Sequence, residues 1–82
     1  MWPPIVTADA RKQMIDLDVN VSQIIHGMHR AEIMDFAEDA KNARLTFVAK
    51  LLSAGEEFFV SASVERVVPF TGTHVIINRV WR

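Results

Sequence analysis

Three alternating segments fill residues 44–82, and they limit what this chain can become more than any other feature. Leu45, Phe47, Ala49 and Leu51 alternate with Thr46, Val48 and Lys50. Phe58, Val60, Ala62 and Val64 alternate with Phe59, Ser61, Ser63 and Glu65. Val75, Ile77, Arg79 and Trp81 alternate with His74, Ile76, Asn78 and Val80. Side chains of a strand point alternately to its two faces, so a period of two is what a sheet with one covered face requires. Ser53-Ala54-Gly55-Glu56 and Pro69-Phe70-Thr71-Gly72-Thr73 separate the segments, and each holds a Gly able to take a positive φ. The pattern predicts a three-stranded antiparallel β-meander over about 44–52, 57–67 and 74–82. Residues 43–54 also carry helical spacing at Leu45, Val48, Ala49 and Leu52, but a helix there would set Arg44 on its apolar side.

The meander needs a cover, and the first half of the chain must supply it. Ser22 is a fitting N-cap, and Ile33, Phe36, Ala37 and Ala40 follow the i, i+3, i+4, i+7 rule. These predict one main helix over about 22–42. Its early turns disagree with its later ones: Ile24, Ile25 and Met28 point roughly opposite to the Ile33–Ala37 stripe. A helix cannot face one core with both stripes, so a break is expected between Gly27 and Arg30, or a second contact partner. Ahead of it, Thr7 suits the N-cap of a turn or two of helix reaching Gln13. Residues 14–21 fit an N-terminal strand or a short helix; the alternation of Ile15, Leu17, Val19 and Val21 with Asp16, Asp18 and Asn20 favours the strand. Residues 1–6 read as an extended apolar arm, because Pro3 and Pro4 disfavour helix. The expected whole is a single small α+β domain spanning 1–82, its meander packed on the helix.

Composition narrows the function classes. The chain has 82 residues and no Cys, so neither a disulfide nor a thiol nucleophile is available. Met1-Trp2-Pro3-Pro4 lacks the basic start of a signal peptide, and no apolar run approaches the ~20 residues of a membrane span. A cytoplasmic protein with no membrane contact is the expectation. The net charge of −1 is unevenly spread: residues 1–40 hold seven acidic and three basic groups, residues 41–82 three acidic and six basic.

No constellation calls for catalysis. His26-x-x-His29-x-x-Glu32 spaces three metal-ligating types along a helix, but zinc usually draws ligands from a second element, and only His74 stands elsewhere. Two half-exposed histidines near a helix break are the plainer reading. Glu38-Asp39 and Glu56-Glu57 are neighbouring carboxylates without the contrasting environments that acid–base chemistry requires. The glycines at 27, 55 and 72 form no phosphate loop. The expectation is no enzyme, no cofactor, no metal and no small-molecule substrate.

What remains is surplus apolar surface. A helix covering Leu45, Phe47, Val60, Ala62, Val64, Val75 and Ile77 leaves Val48, Leu52, Phe59, Val67, Ile76 and Val80 on the other face. The arm could fold back over that face. Otherwise it marks an interface, with Phe59, Arg79 and Trp81 as anchors. On the predicted helix, Glu32, Asp35, Glu38 and Asp39 gather on one flank and suit a basic partner. The expected function is a non-catalytic protein-binding module that self-associates as a homodimer, docks on a larger complex, or does both. A small accessory subunit, or a phage-type inhibitor of a basic, nucleic-acid-binding partner, has this make-up. The alternative is nucleic-acid binding by the sheet, through Arg44, Lys50, Arg66, Arg79 and Arg82 with Phe59 or Trp81 stacking on bases.

Overall fold

Two helices and five strands follow one another in the computed structural model, which describes residues 4–42, 44–67 and 72–82. The side chains of residues 66, 67, 72 and 73 stand outside that description. So do the start of the arm at Trp2-Pro3 and most of the turn expected at Pro69 to Thr73. The elements are β1 (Ile5–Val6), α1 (Ala8–Leu17), α2 (Val21–Met28), β2 (Glu32–Asp39), β3 (Arg44–Ser53), β4 (Glu56–Val67) and β5 (Gly72–Trp81), with a short 3-10 turn (Ala40–Asn42) between β2 and β3. The fold is α+β, built on a mixed sheet of order β1-β5-β4-β3-β2. Only β1–β5 is parallel; the other neighbours are antiparallel. Among the described residues no helix is long and apolar enough to cross a membrane.

The meander forms where the alternation predicts it, as β3, β4 and β5. Its first hairpin turns on Ala54 (φ 53°) and Gly55 (φ 79°), closed by the Ser53–Glu56 pair. Both central residues thus have positive φ, the type I′ geometry whose twist matches the flanking strands. Alanine tolerates that conformation poorly, at roughly 1–2 kcal/mol against a right-handed one. Ala54→Asn is therefore expected to raise stability by about 0.5–1 kcal/mol, read as a later urea midpoint at unchanged slope.

The cover differs from the single helix expected over 22–42. The helix there ends at Met28, and residues 32–39 form a strand beside β3. The break falls between Gly27 and Arg30, where the two apolar stripes disagree. The stripe of Ile33 and Phe36 is not helical. A β-bulge at Met34 places one extra residue in β2, so Ile33 lies opposite Ala49 and Phe36 opposite Phe47. Both therefore fall on the same side of the sheet although they are three apart, a spacing that imitates a helix.

Residues 14–21, expected as a strand, contain the end of α1 and the start of α2. The decisive stripe is Ala10 and Met14, which are buried, with half-buried Leu17; Ile15, which carried the alternation, is 73% exposed. Thr7 is the N-cap as predicted, accepting from the Ala10 N–H at 3.2 Å. Asp18 ends α1 at φ 57°. The cap of α2 is Asn20 rather than Ser22. Asn20 Oδ1 accepts from the Gln23 N–H at 2.9 Å, and Gln23 Oε1 accepts from the Asn20 N–H at 2.8 Å. Such reciprocal bonds satisfy two donors that a helix start otherwise leaves unpaired.

Both helices lie on one side of the sheet, α1 over β5 and α2 over β3. The core between the layers holds Ala10, Met14, Ile24, Leu51, Phe58, Val60, Ala62, Ile77 and Val80. Gly27 stays inside α2 and faces the sheet. A Cβ at that position would meet Leu51 Cβ at 3.0 Å, so glycine is what lets helix and strand approach this closely.

Candidate protein interface

The opposite side of the sheet is open. Along β3, Phe47, Ala49, Leu51 and Ser53 are buried under the helices, while Arg44 and Leu52 are exposed and Thr46, Val48 and Lys50 half-buried. Along β4, Phe58, Val60 and Ala62 are buried, and on the open side Glu57, Phe59, Ser61 and Glu65 are less so while Ser63 is buried. Among the described residues no element covers this second side. Ile5 and Val6 pair with Ile76 and Ile77 at the edge of β5, extending the sheet sideways instead of lying across it.

Strict alternation would put Arg79 and Trp81 on the helix side, away from Phe59. A second bulge prevents this. Ser61 pairs with Arg79 but Ala62 pairs with Ile77, leaving Asn78 as the extra residue. Beyond it the pattern inverts: Val80 turns into the core at 2% exposure, and Arg79 and Trp81 join the open face. Val80, expected on the open face, is thus a core residue. The Trp81 ring stacks on Phe59 with centroids 5.9 Å apart and 16° between planes, and the Arg79 guanidinium sits 5.3 Å from the Trp81 centroid. The three expected anchors form one cluster.

Side chains from the first half of the chain hold the bulge. Thr7 Oγ1 donates to the Asn78 carbonyl at 3.3 Å, and the Val80 N–H donates to Gln13 Oε1 at 2.8 Å. Asn78 Nδ2 donates to Ser63 Oγ at 3.0 Å. Removing Gln13 leaves a partly buried backbone donor without its partner, a loss worth about 1–3 kcal/mol. Gln13→Ala is expected to lower stability by that amount and to weaken Phe59–Trp81 stacking, read as a change in near-UV circular dichroism.

The charges of the open face largely compensate one another. Arg44 pairs with Glu65 at 2.7 Å, and Lys50 lies 3.3 Å from Glu32 and 3.7 Å from Glu57. The hydrogen bond and charge of Glu32, with the charge of Glu57, push the Lys50 ammonium above its ordinary pKa. On the helix side, Arg82 reaches Glu56 at 3.2 Å and donates to the Leu17 carbonyl at 2.9 Å. These pairs are exposed and add little stability. Asp39 is held below the ordinary carboxylate range, first by the Asn42 side-chain amide at 2.7 Å and then by the Asn42 N–H at 3.3 Å.

The four acidic residues read as one helix flank are in β2. Glu32, Asp35 and Asp39 share the open face, opposite Lys50, Val48 and Arg44, while Glu38 stands opposite Leu45 on the helix side. All eight residues of β2 are exposed. Arg66 pairs with Thr73 in the ladder, and its side chain lies outside the described residues. His26 and His29 are near the end of α2 with Glu32 in a separate strand; His26 Nδ1 is 3.4 Å from Ser53 Oγ. Among the described residues no three His, Cys, Asp or Glu gather as a metal site.

Compared with family models, curated proteins and solved structures, the chain shows no match.

Proposed function

We propose that this chain is a non-catalytic protein-interaction module that self-associates, two copies packing open face to open face. One observation carries the reading: the cross-strand rows of that face are complementary to their own reversal. Asp35, Val48, Ser61 and Arg79 form one row across β2, β3, β4 and β5. Glu32, Lys50, Phe59 and Trp81 form a second, and Asp39, Arg44, Glu65 and His74 a third. A two-fold axis parallel to the strands lays β2 of one copy over β5 of the other and reverses every row. Asp35 then faces Arg79, Arg44 faces Glu65, and Lys50 faces the Phe59 ring, each contact made twice. Turning the axis across the strands would stack β2 on β2, carboxylate over carboxylate.

Size and composition support the same arrangement. Four strands ~4.8 Å apart, rising ~3.3 Å per residue, present roughly 600 Å² in plan. Corrugated by side chains, that approaches the ~800 Å² per partner of a standard interface. Aligned sheets packing at about 30° are an ordinary sandwich. Aromatic and Arg anchors at the Trp81 end are the residue types that dominate binding energy. Nucleic-acid binding ranks lower, because Arg44, Lys50 and Arg82 are already paired with carboxylates on this sheet. The test is mass in solution by light scattering. Twice the chain mass is expected; a monomer at every concentration up to ~1 mM would overturn the proposal.

A further inference from the structure

A second surface stays free in such a dimer: the outer edge of β2. The edge strand at the other side of the sheet, β1, is two residues long, while β2 offers eight. Alternate residues of an outer strand turn their N–H and C=O groups away from the sheet, a template for one more strand. The helices pack over β5 and β3, so among the described residues nothing roofs the helix side of β2. Ile33 is 52% exposed, Phe36 67%, and Met34 at the bulge 54%. A shallow depression bordered by Asp35, Phe36, Ala37, Thr46, Phe47 and Val48 runs beside them.

Charge decides which strand can fill this edge. β2 carries Glu32, Asp35, Glu38 and Asp39 and no cation. A second β2 would bring four further carboxylates within a strand spacing of ~4.8 Å, so the edge repels its own copy. A basic strand meets the opposite condition. Its apolar residues would cover Ile33 and Phe36 on the helix side, and its cations would stand beside Asp35 and Asp39 on the open side.

We propose that the β2 edge takes up an extended segment of another protein, alternating basic and apolar residues, as the next strand of the sheet. Main-chain hydrogen bonds supply affinity in this mode, and alternate side chains supply specificity. The site goes beyond the face-to-face dimer and does not depend on it.

The probe is an eight-residue peptide alternating lysine and valine, with capped ends, titrated at low salt against the full chain. Binding is expected with slowed amide exchange across residues 32–39, and at least tenfold weaker affinity in Phe36→Lys, which replaces an apolar contact of the peptide with a like charge. Phe36 is on the helix side, away from the open face, and is 67% exposed, so that variant keeps its fold and the wild-type mass. An N-methylated peptide of equal charge, unable to pair as a strand, is expected not to bind. Equal binding of both peptides would mean charge attraction alone and would overturn the proposal, as would no binding, or no effect of Phe36→Lys. In Phe59→Asp, which removes the open-face contact, protection of residues 32–39 that grows with protein concentration without peptide would assign the edge to a second copy and overturn it too. Solution mass reads the dimer and the peptide reads the edge, so either can fail without the other.

Discussion

Phe58→Ala is expected to lower the chain's stability by about 3–5 kcal/mol, whereas Phe59→Ala next to it costs about 1 kcal/mol. Phe58 is 1% exposed and is among the largest of the fully buried side chains. It lies opposite Leu51, itself fully buried, in the layer beneath the helices. Truncating such a ring removes its transfer free energy and opens a cavity, together about 3–5 kcal/mol. A chain this short has roughly 4–12 kcal/mol of total stability, and no disulfide raises that margin. Phe59 faces the open side and is only half-buried, so its loss as a folding contact should stay near 1 kcal/mol. Urea unfolding of both variants, followed by circular dichroism, checks the contrast. Equal destabilisation would mean that the two faces of β4 are not inequivalent.

Phe59→Asp and Trp81→Ala are expected to abolish self-association without unfolding the monomer. The two rings stack on each other, and Arg79 lies against Trp81, so truncating either ring dismantles the cluster. Losing such an anchor costs at least ~2 kcal/mol of binding, a weakening of about 30-fold or more. The rows add a sharper test of axis direction. Asp35→Arg and Arg79→Asp should each weaken the dimer through like-charge contacts, and mixing the two variants should restore a mixed dimer. Rescue on mixing separates the pairing from general surface charge. If light scattering shows wild-type mass for Phe59→Asp and Trp81→Ala, the open face is not the interface.

Much of the sheet half was legible because period two and glycine-containing turns are local properties. The strands β3 and β4, the hairpin at Ala54-Gly55 and the Thr7 cap all rest on residues within a few positions of one another. The break after Gly27 was legible for the same reason, as two stripes out of phase. Two features misled, and both are bulges. At Met34 an extra residue puts Ile33 and Phe36 on one side three apart, so a strand carries the spacing of a helix. At Asn78 another extra residue inverts the alternation, sending Val80 inward and Trp81 outward. The candidate residues Phe59, Arg79 and Trp81 were identifiable by type, yet their meeting on one face was not. The acidic set of Glu32, Asp35, Glu38 and Asp39 was identifiable too, but its setting proved to be a sheet edge.

The sequence alone determined the α+β composition, the three long strands, the absence of thiol chemistry and a surplus of apolar residues beyond what one cover needs. These follow from side-chain type and short-range periodicity, which act before the chain closes on itself. Only the tertiary structure decided where the extra residue of each strand goes. A bulge is set by partners far along the chain: Thr7 and Gln13 clasp the one at Asn78 across more than sixty positions. The pairing of β2 with β3 fixes the one at Met34. Those two positions turn three scattered aromatic and cationic residues into one cluster, and an apparent helix flank into an open, acidic edge.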